Sequence, residues 1–235
     1  MSALALHNYF RSSTSVRVRA ALNLKGLRYD YVGISLLAGE PHQAEHLALN
    51  PSGAVPTFGE PHQAEHLALN PSGAVPTLVT KQGPLSQSLA ILEWLEEEHP
   101  EPPLLPADAW GRARVRSLAY IVAQDVHPVN NLRVLQHLEA EFGADAFGKA
   151  AWFAHWASAG MAALETRLAQ EPETGDFCHG DCVGLADLCL YAQALNNVRF
   201  GVDMTPYPTI QRIYANCMDL PALERAAPIH QPDAF

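Results

Sequence analysis

NPSGAVPTLVTKQGPLS, residues 70–86, holds the turn chemistry and strand pattern from which the architecture can be worked out. Asn70-Pro-Ser-Gly73 ends any helix that precedes it, because proline has no N–H to donate and glycine accepts the backbone of a turn. Val75-Pro76 then leads into Thr77-Leu-Val-Thr80, the turn Lys81-Gln-Gly83 and Pro84-Leu-Ser86, a pattern that predicts an antiparallel hairpin. A helix is predicted from Ser88 through Ile91, Leu92 and Leu95 to Glu98. Upstream, Ala3 to Tyr9 reads as a short strand, and Ser12-Ser-Thr-Ser15 supplies hydroxyl caps for a helix running to Lys25-Gly26. Leu27 to Ile34 reads as a second strand. The order is therefore a βαβ unit joined to a ββα unit.

That order is thioredoxin-like, and in such a sheet the proline leading into the hairpin is cis, exposing the backbone of the residue before it to a peptide-like ligand. His99 to Pro106 is too rich in proline to continue a helix and reads as a linker. Beyond it, Trp110 to Phe142, Ala146 to Ala169, Leu185 to Phe200, Pro208 to Met218 and Pro221 to Ala226 have helical apolar spacing. The expected fold class is α/β plus all-α, with a thioredoxin-like domain at 1–100 and an all-helical domain at 107–235.

The stretch GEPHQAEHLALNPSGAVPT occurs twice, at 39–57 and 59–77, with only Phe58 between the copies. The second copy runs directly into the hairpin strand, whereas the first ends in Thr57-Phe-Gly-Glu-Pro61, which offers no strand. Position therefore selects Val75-Pro76. The chain does not specify which copy supplies the flanking helix, and the surplus copy is expected to be poorly packed and mobile. Two copies do not make a solenoid, which needs at least three units.

The chain has 235 residues, 48% of them apolar and 17% charged, with a net charge of −10. An acidic whole argues against a nucleic-acid or anionic-membrane partner. Residues 1–29 nevertheless carry Arg11, Arg17, Arg19, Lys25 and Arg28 with no acidic residue, which suits either a small anionic ligand or a solvated helix face. A cytoplasmic protein without a leader or membrane span is expected. Cys178, Cys182, Cys189 and Cys217 lack metal-ligand spacing and read as reduced core residues, with no metal assigned.

Tyr9-Phe-Arg-Ser-Ser-Thr-Ser-Val-Arg-Val-Arg19 resembles the signature of the zeta-class glutathione transferases, which include the maleylacetoacetate isomerases. Asn70 to Thr77, Leu85 to Leu95, Asp125 to Asn131, Arg199 to Pro208 and Gln231 to Asp233 extend the resemblance over nearly the whole chain outside the extra copy. It implies a glutathione-dependent cis–trans isomerase taking maleylacetoacetate to fumarylacetoacetate in aromatic amino-acid breakdown. The thiolate adds to the double bond, the bond rotates and sulfur leaves. It also implies a small dicarboxylate substrate, glutathione as cofactor and a homodimer.

By the same resemblance Ser12, Ser13 and Thr14 stabilise the sulfur at the start of the first helix, Ser12 foremost. Val75 and Pro76 pair with the cysteinyl unit, and Gln87 and Ser88 hold the γ-glutamyl end. His127 and Asn131, four apart and read as one helical face, lie near glutathione. Arg11 and Arg199 match arginines that contact the diacid, while Arg17 and Arg19 are expected to form structural ion pairs. Thr14 stands where the zeta signature has cysteine and is similar to the glutathione-dependent maleylpyruvate isomerases. Gly73 and Ala74 replace long polar residues that reach the cofactor in relatives, so weaker cofactor binding is expected. Gly184 replaces a hydroxyl cap ahead of Asp187. Maleylpyruvate isomerisation, conjugation of electrophiles and a non-catalytic binding role are the alternatives.

Overall fold

The computed structural model describes residues 4–34 and 60–234. The first copy of the repeat, 39–57, with its expected poor packing, lies outside the described residues. Two compact units are present: Met1–His99 together with Ala222–Phe235, and Pro100–Pro221.

In the first unit the elements are β1 (Ala5–Asn8), α1 (Ser13–Leu24), β2 (Asp30–Gly33), α2 (Glu60–Leu69), β3 (Thr77–Thr80), β4 (Gly83–Ser86) and α3 (Ser88–Glu98). The sheet order is β2-β1-β3-β4. β1 pairs parallel with β2 and antiparallel with β3, which forms the hairpin with β4. This is the βαβ-ββα sheet of a thioredoxin-like domain. α1 and α3 pack on each other, and Val16, Ala20, Ile91, Leu92 and Leu95 are buried. The helix α2 comes from the second copy; its His66 is buried and stacks on His7 of β1 with ring centroids 5.7 Å apart.

The basic residues of α1 are not a solvated face. Arg17 and Arg19 are 1% and 0% exposed, and Lys25 bonds Glu96 at 3.3 Å and the His99 carbonyl at 2.6 Å. The partners of Arg19 include neutral oxygens: Asn8 Oδ1 at 2.7 Å and the carbonyls of Tyr9, Phe10 and Ala226 at 3.4, 2.8 and 2.9 Å. A rigid five-donor fork suits this task, which a lysine could not perform. The C-terminal segment is further fixed by Tyr31, whose hydroxyl donates to Asp233 Oδ1 at 2.5 Å. Burial and that carboxylate push the Tyr31 phenol well above its usual range.

The second unit is helical: α4 (Ala109–Tyr120), a π-helical turn (Ile121–Val126), α5 (His127–Val129), α6 (Leu132–Phe142), α7 (Ala146–Gln170), α8 (Leu185–Arg199) and α9 (Pro208–Met218), while the short α10 (Pro221–Glu224) falls, from Ala222 on, in the first. The single run expected over 110–142 is broken, because Asn131 adopts extended backbone and caps α6 through Arg133 N–H. α9 starts on Pro208, and its free N–H groups at Thr209 and Ile210 are bonded by the two oxygens of Glu165, each at 2.9 Å. Cys178, Cys189 and Cys217 are buried, but Cys182 is exposed and so is not a core residue.

Asp187 is buried and accepts from the Cys178 and Gly184 N–H groups, each at 2.8 Å. A Cβ added at Gly184 would meet the Leu104 carbonyl oxygen at 2.9 Å, which gives glycine a steric reason there beyond its small capping cost.

Glu171 joins two arginines, accepting at 2.6 Å from Arg114 and at 2.6 Å from Arg167. Burial pushes its carboxyl up, but the guanidinium groups of Arg167 and Arg114 outweigh burial and hold it below the usual carboxylate range. Arg114 is itself buried, so Glu171→Gln is expected to cost about 2 kcal/mol near neutral pH. A depressed folded value means the contribution is present above the ordinary carboxylate range and lost as pH falls through it. The difference in melting temperature between the two proteins should therefore shrink below about pH 4; an undiminished difference at pH 3 would contradict the charge-based account.

Candidate active site

The start of α1 and the bend before β3 meet at one point. Ser12 is the N-cap of α1, with extended backbone and its Oγ accepting from Ser15 N–H at 3.3 Å. Its Oγ also lies 2.7 Å from Thr14 Oγ1, and Thr14 donates to the Val75 carbonyl at 2.9 Å. Ser12 and Thr14 are half-buried and open toward solvent, whereas Ser13 is 2% exposed and turned into the protein.

The Val75–Pro76 peptide is cis. Two side chains hold the residue before it: Nε2 of His66 and Nδ2 of Asn70 both donate to the Ala74 carbonyl, at 3.0 and 2.7 Å. Asn70 also donates to Thr77 Oγ1 at 3.2 Å, locking the bend to the first residue of β3. The Val75 carbonyl is engaged by Thr14, while its N–H has no hydrogen-bond partner among the described residues. The bend therefore presents a donor at a sheet edge, which suits the carbonyl of an extended peptide.

A strained point lies at the start of α3. Gln87 has φ +72°, the one positive-φ residue other than glycine among the described residues. Such backbone costs about 1–3 kcal/mol and persists where surrounding structure imposes it, often at ligand sites. No side chain caps α3, so its first N–H groups remain for a ligand. Behind them the buried guanidinium of Arg17 donates from Nη1 to Ser88 Oγ at 3.4 Å. An uncapped helix start backed by a buried cation favours a carboxylate.

Taken together, one unit offers hydroxyls at a helix start, an open edge N–H and a carboxylate-favouring helix start. That donor set fits a small acidic peptide with an anionic group at the start of α1.

The family model described as "Glutathione S-transferase, N-terminal domain" matches residues 2–61, and a second of the same description matches 57–98. A maleylpyruvate isomerase of Ralstonia sp. is 46% identical over 231 residues, covering 98% of this chain and all of that protein. A solved holo maleylpyruvate isomerase, described as a bacterial zeta-class glutathione transferase, has a TM-score of 0.86 at 45% identity, covering 98% of this chain and 100% of that one. The chain belongs to the zeta-class glutathione transferases. A maleylacetoacetate isomerase of Anaeromyxobacter dehalogenans, solved with bound dicarboxyethyl glutathione and citrate, has a TM-score of 0.80 at 40% identity, covering 99% of this chain and 94% of that one.

As a zeta-class transferase, the chain carries its remaining candidate residues in varied settings. Arg11 is half-buried beside Phe10, its guanidinium carbon 4.8 Å from the ring centroid. In the second unit Arg199 is the exposed last residue of α8, 5.3 Å from the Phe200 ring centroid. His127 and Asn131 do not share one helix; they meet across its break, with Asn131 Nδ2 donating to His127 Nε2 at 3.3 Å. His127 thus follows a π-helical turn, a distortion frequent at functional sites. Sequence reading left His66 and Arg17 without a part in the site. Each repeat copy carries two histidines, a visible signal, but the carbonyl that His66 meets is fixed only by folding.

Proposed function

We propose that this zeta-class protein is a glutathione-dependent cis–trans isomerase converting maleylacetoacetate to fumarylacetoacetate. The observation that carries the reading is the convergence of the Ser12–Thr14 hydroxyls on the cis Val75–Pro76 bend. Glutathione, when bound, supplies a thiolate that adds to the double bond, permits rotation and leaves. The A. dehalogenans relative holds dicarboxyethyl glutathione and citrate in its active site, which supports that chemistry.

The residues of this chain then take distinct parts. Val75 N–H receives the cysteinyl carbonyl beside Pro76. Gln87 and Ser88, with the start of α3, hold the γ-glutamyl carboxylate. Ser12 donates to the sulfur, whose ionisation at neutral pH needs about 2 kcal/mol of stabilisation against an ordinary thiol near ~8.5. By the family resemblance, Arg11 and Arg199 are assigned to the substrate carboxylates as bidentate partners, and His127 and Asn131 to the cofactor. A cytoplasmic homodimer belongs to the same reading and rests on the family.

Maleylpyruvate is the second substrate to consider, favoured by Thr14 and by the 46% identical Ralstonia relative. The test is loss of diacid absorbance with each substrate, with and without glutathione. Activity is expected only with glutathione present. Arg199→Ala should reduce diacid isomerisation at least about ten-fold, an effect of about 1.4 kcal/mol, with glutathione affinity unchanged. Turnover without glutathione would remove the proposal, and equal loss of both properties would remove the role given to Arg199.

A further inference from the structure

Thr14 has one hydroxyl proton and two oxygen neighbours, the Val75 carbonyl at 2.9 Å and Ser12 Oγ at 2.7 Å. A carbonyl oxygen can only accept, so the Thr14 proton belongs to Val75. The contact to Ser12 is then a hydrogen bond only if Ser12 is its donor. Ser12 Oγ in turn accepts from Ser15 N–H. The proton order is thus fixed along a chain running from Ser15 N–H to Ser12, to Thr14 and on to the Val75 carbonyl.

We propose that Thr14 is a positioning residue rather than a donor to sulfur. It draws the Ser12 proton toward itself, and Ser12 turns that proton to the sulfur only as the thiol ionises. In the protonated state the ligand S–H can donate to the remaining lone pair of Ser12, so the resting order favours thiol over thiolate. Thr14 also ties the sulfur end of the site to the docking edge, because the same hydroxyl holds the carbonyl of the residue whose N–H receives the peptide. This inference rests on glutathione being the ligand.

The alternative, in which all three hydroxyls donate to sulfur, predicts the opposite sign for one substitution. Thr14→Val keeps the shape and removes the hydroxyl. If Thr14 competes for the Ser12 proton, its loss frees Ser12, and the thiolate-to-thiol ratio of bound glutathione should rise about three- to ten-fold at a pH below its midpoint. If Thr14 donates to sulfur, the ratio should fall. The neighbouring ionisable groups, Arg11 before α1, Arg17 and Arg19 within it, His7 on β1 and His66 on α2, are the same in both proteins and cancel in the comparison.

The experiment is an ultraviolet titration of the thiolate in the saturated glutathione complex of the parent, Thr14→Val and Thr14→Ser proteins. It is paired with the carbon-13 carbonyl shift of Val75 in the ligand-free proteins. A raised thiolate fraction and a displaced Val75 carbonyl signal in Thr14→Val, both restored in Thr14→Ser, are the expected results. A lowered or unchanged thiolate fraction, or an unmoved carbonyl signal, overturns the proposal. Failure of the parent itself to bind glutathione would instead overturn the functional reading, and this inference with it.

Discussion

Arg19→Met should lower the stability of the folded protein by about 3–5 kcal/mol, among the largest effects of any single substitution in the first unit. The side chain is fully buried, and its donors serve Asn8 and the carbonyls of Tyr9, Phe10 and Ala226. Methionine fills much of the same space but donates nothing, so several buried oxygens lose their bonds together. Arg19→Lys should recover little, because one ammonium group cannot reach carbonyls on both sides at once. The substitution should also weaken glutathione binding at temperatures where the protein remains folded, since Tyr9 and Phe10 lead directly into Arg11 and Ser12. Denaturant titration with calorimetry at 15 °C would check both parts. A stability loss below about 1 kcal/mol would show that the loop is held by something else.

Ser12→Ala is the largest expected functional loss. Removing one preorganised donor from a developing or bound anion typically lowers turnover by about 10²–10³, and the bound thiol should shift upward in pKa. Ser12 is also the N-cap of α1, so some stability must go with it, about 1 kcal/mol. Ser12→Gly separates the two roles, because glycine is tolerated at a cap but donates nothing. Equal turnover losses in Ala and Gly variants, with a smaller stability loss in Gly, would assign the effect to the hydroxyl. Turnover that tracks stability would assign it to the cap.

Much of the fold is legible in local sequence pattern. The hairpin at 77–86 and the helix at 88–98 follow from alternation, turn residues and apolar spacing, which are local properties. Pro208 to Met218 was equally readable, because a proline start and a regular apolar stripe need no tertiary help. The helix over 110–142 was not, since its break depends on Asn131 turning its side chain to Arg133 N–H, and the flanking residues alone keep helical spacing. The cationic run in residues 1–29 left two readings open on charge alone. Packing decided against a solvated face, because Arg17 and Arg19 find oxygens that lie far away in sequence.

The sequence by itself determined the order of the strands with the helices that follow β1 and β4, and the residues that match the zeta-class signature, because these are written in short-range pattern and spelling. It also determined that Val75-Pro76 precedes the hairpin strand, since only the second repeat copy runs into one. Tertiary structure alone decided that Thr14, 61 positions from Val75, would hold its carbonyl. It also brought Ala226 back to Arg19, 207 positions away. Hydrogen bonds between distant residues depend on where packing brings a donor and an acceptor together, and two identical repeat copies carry the same donors without saying which of them will arrive.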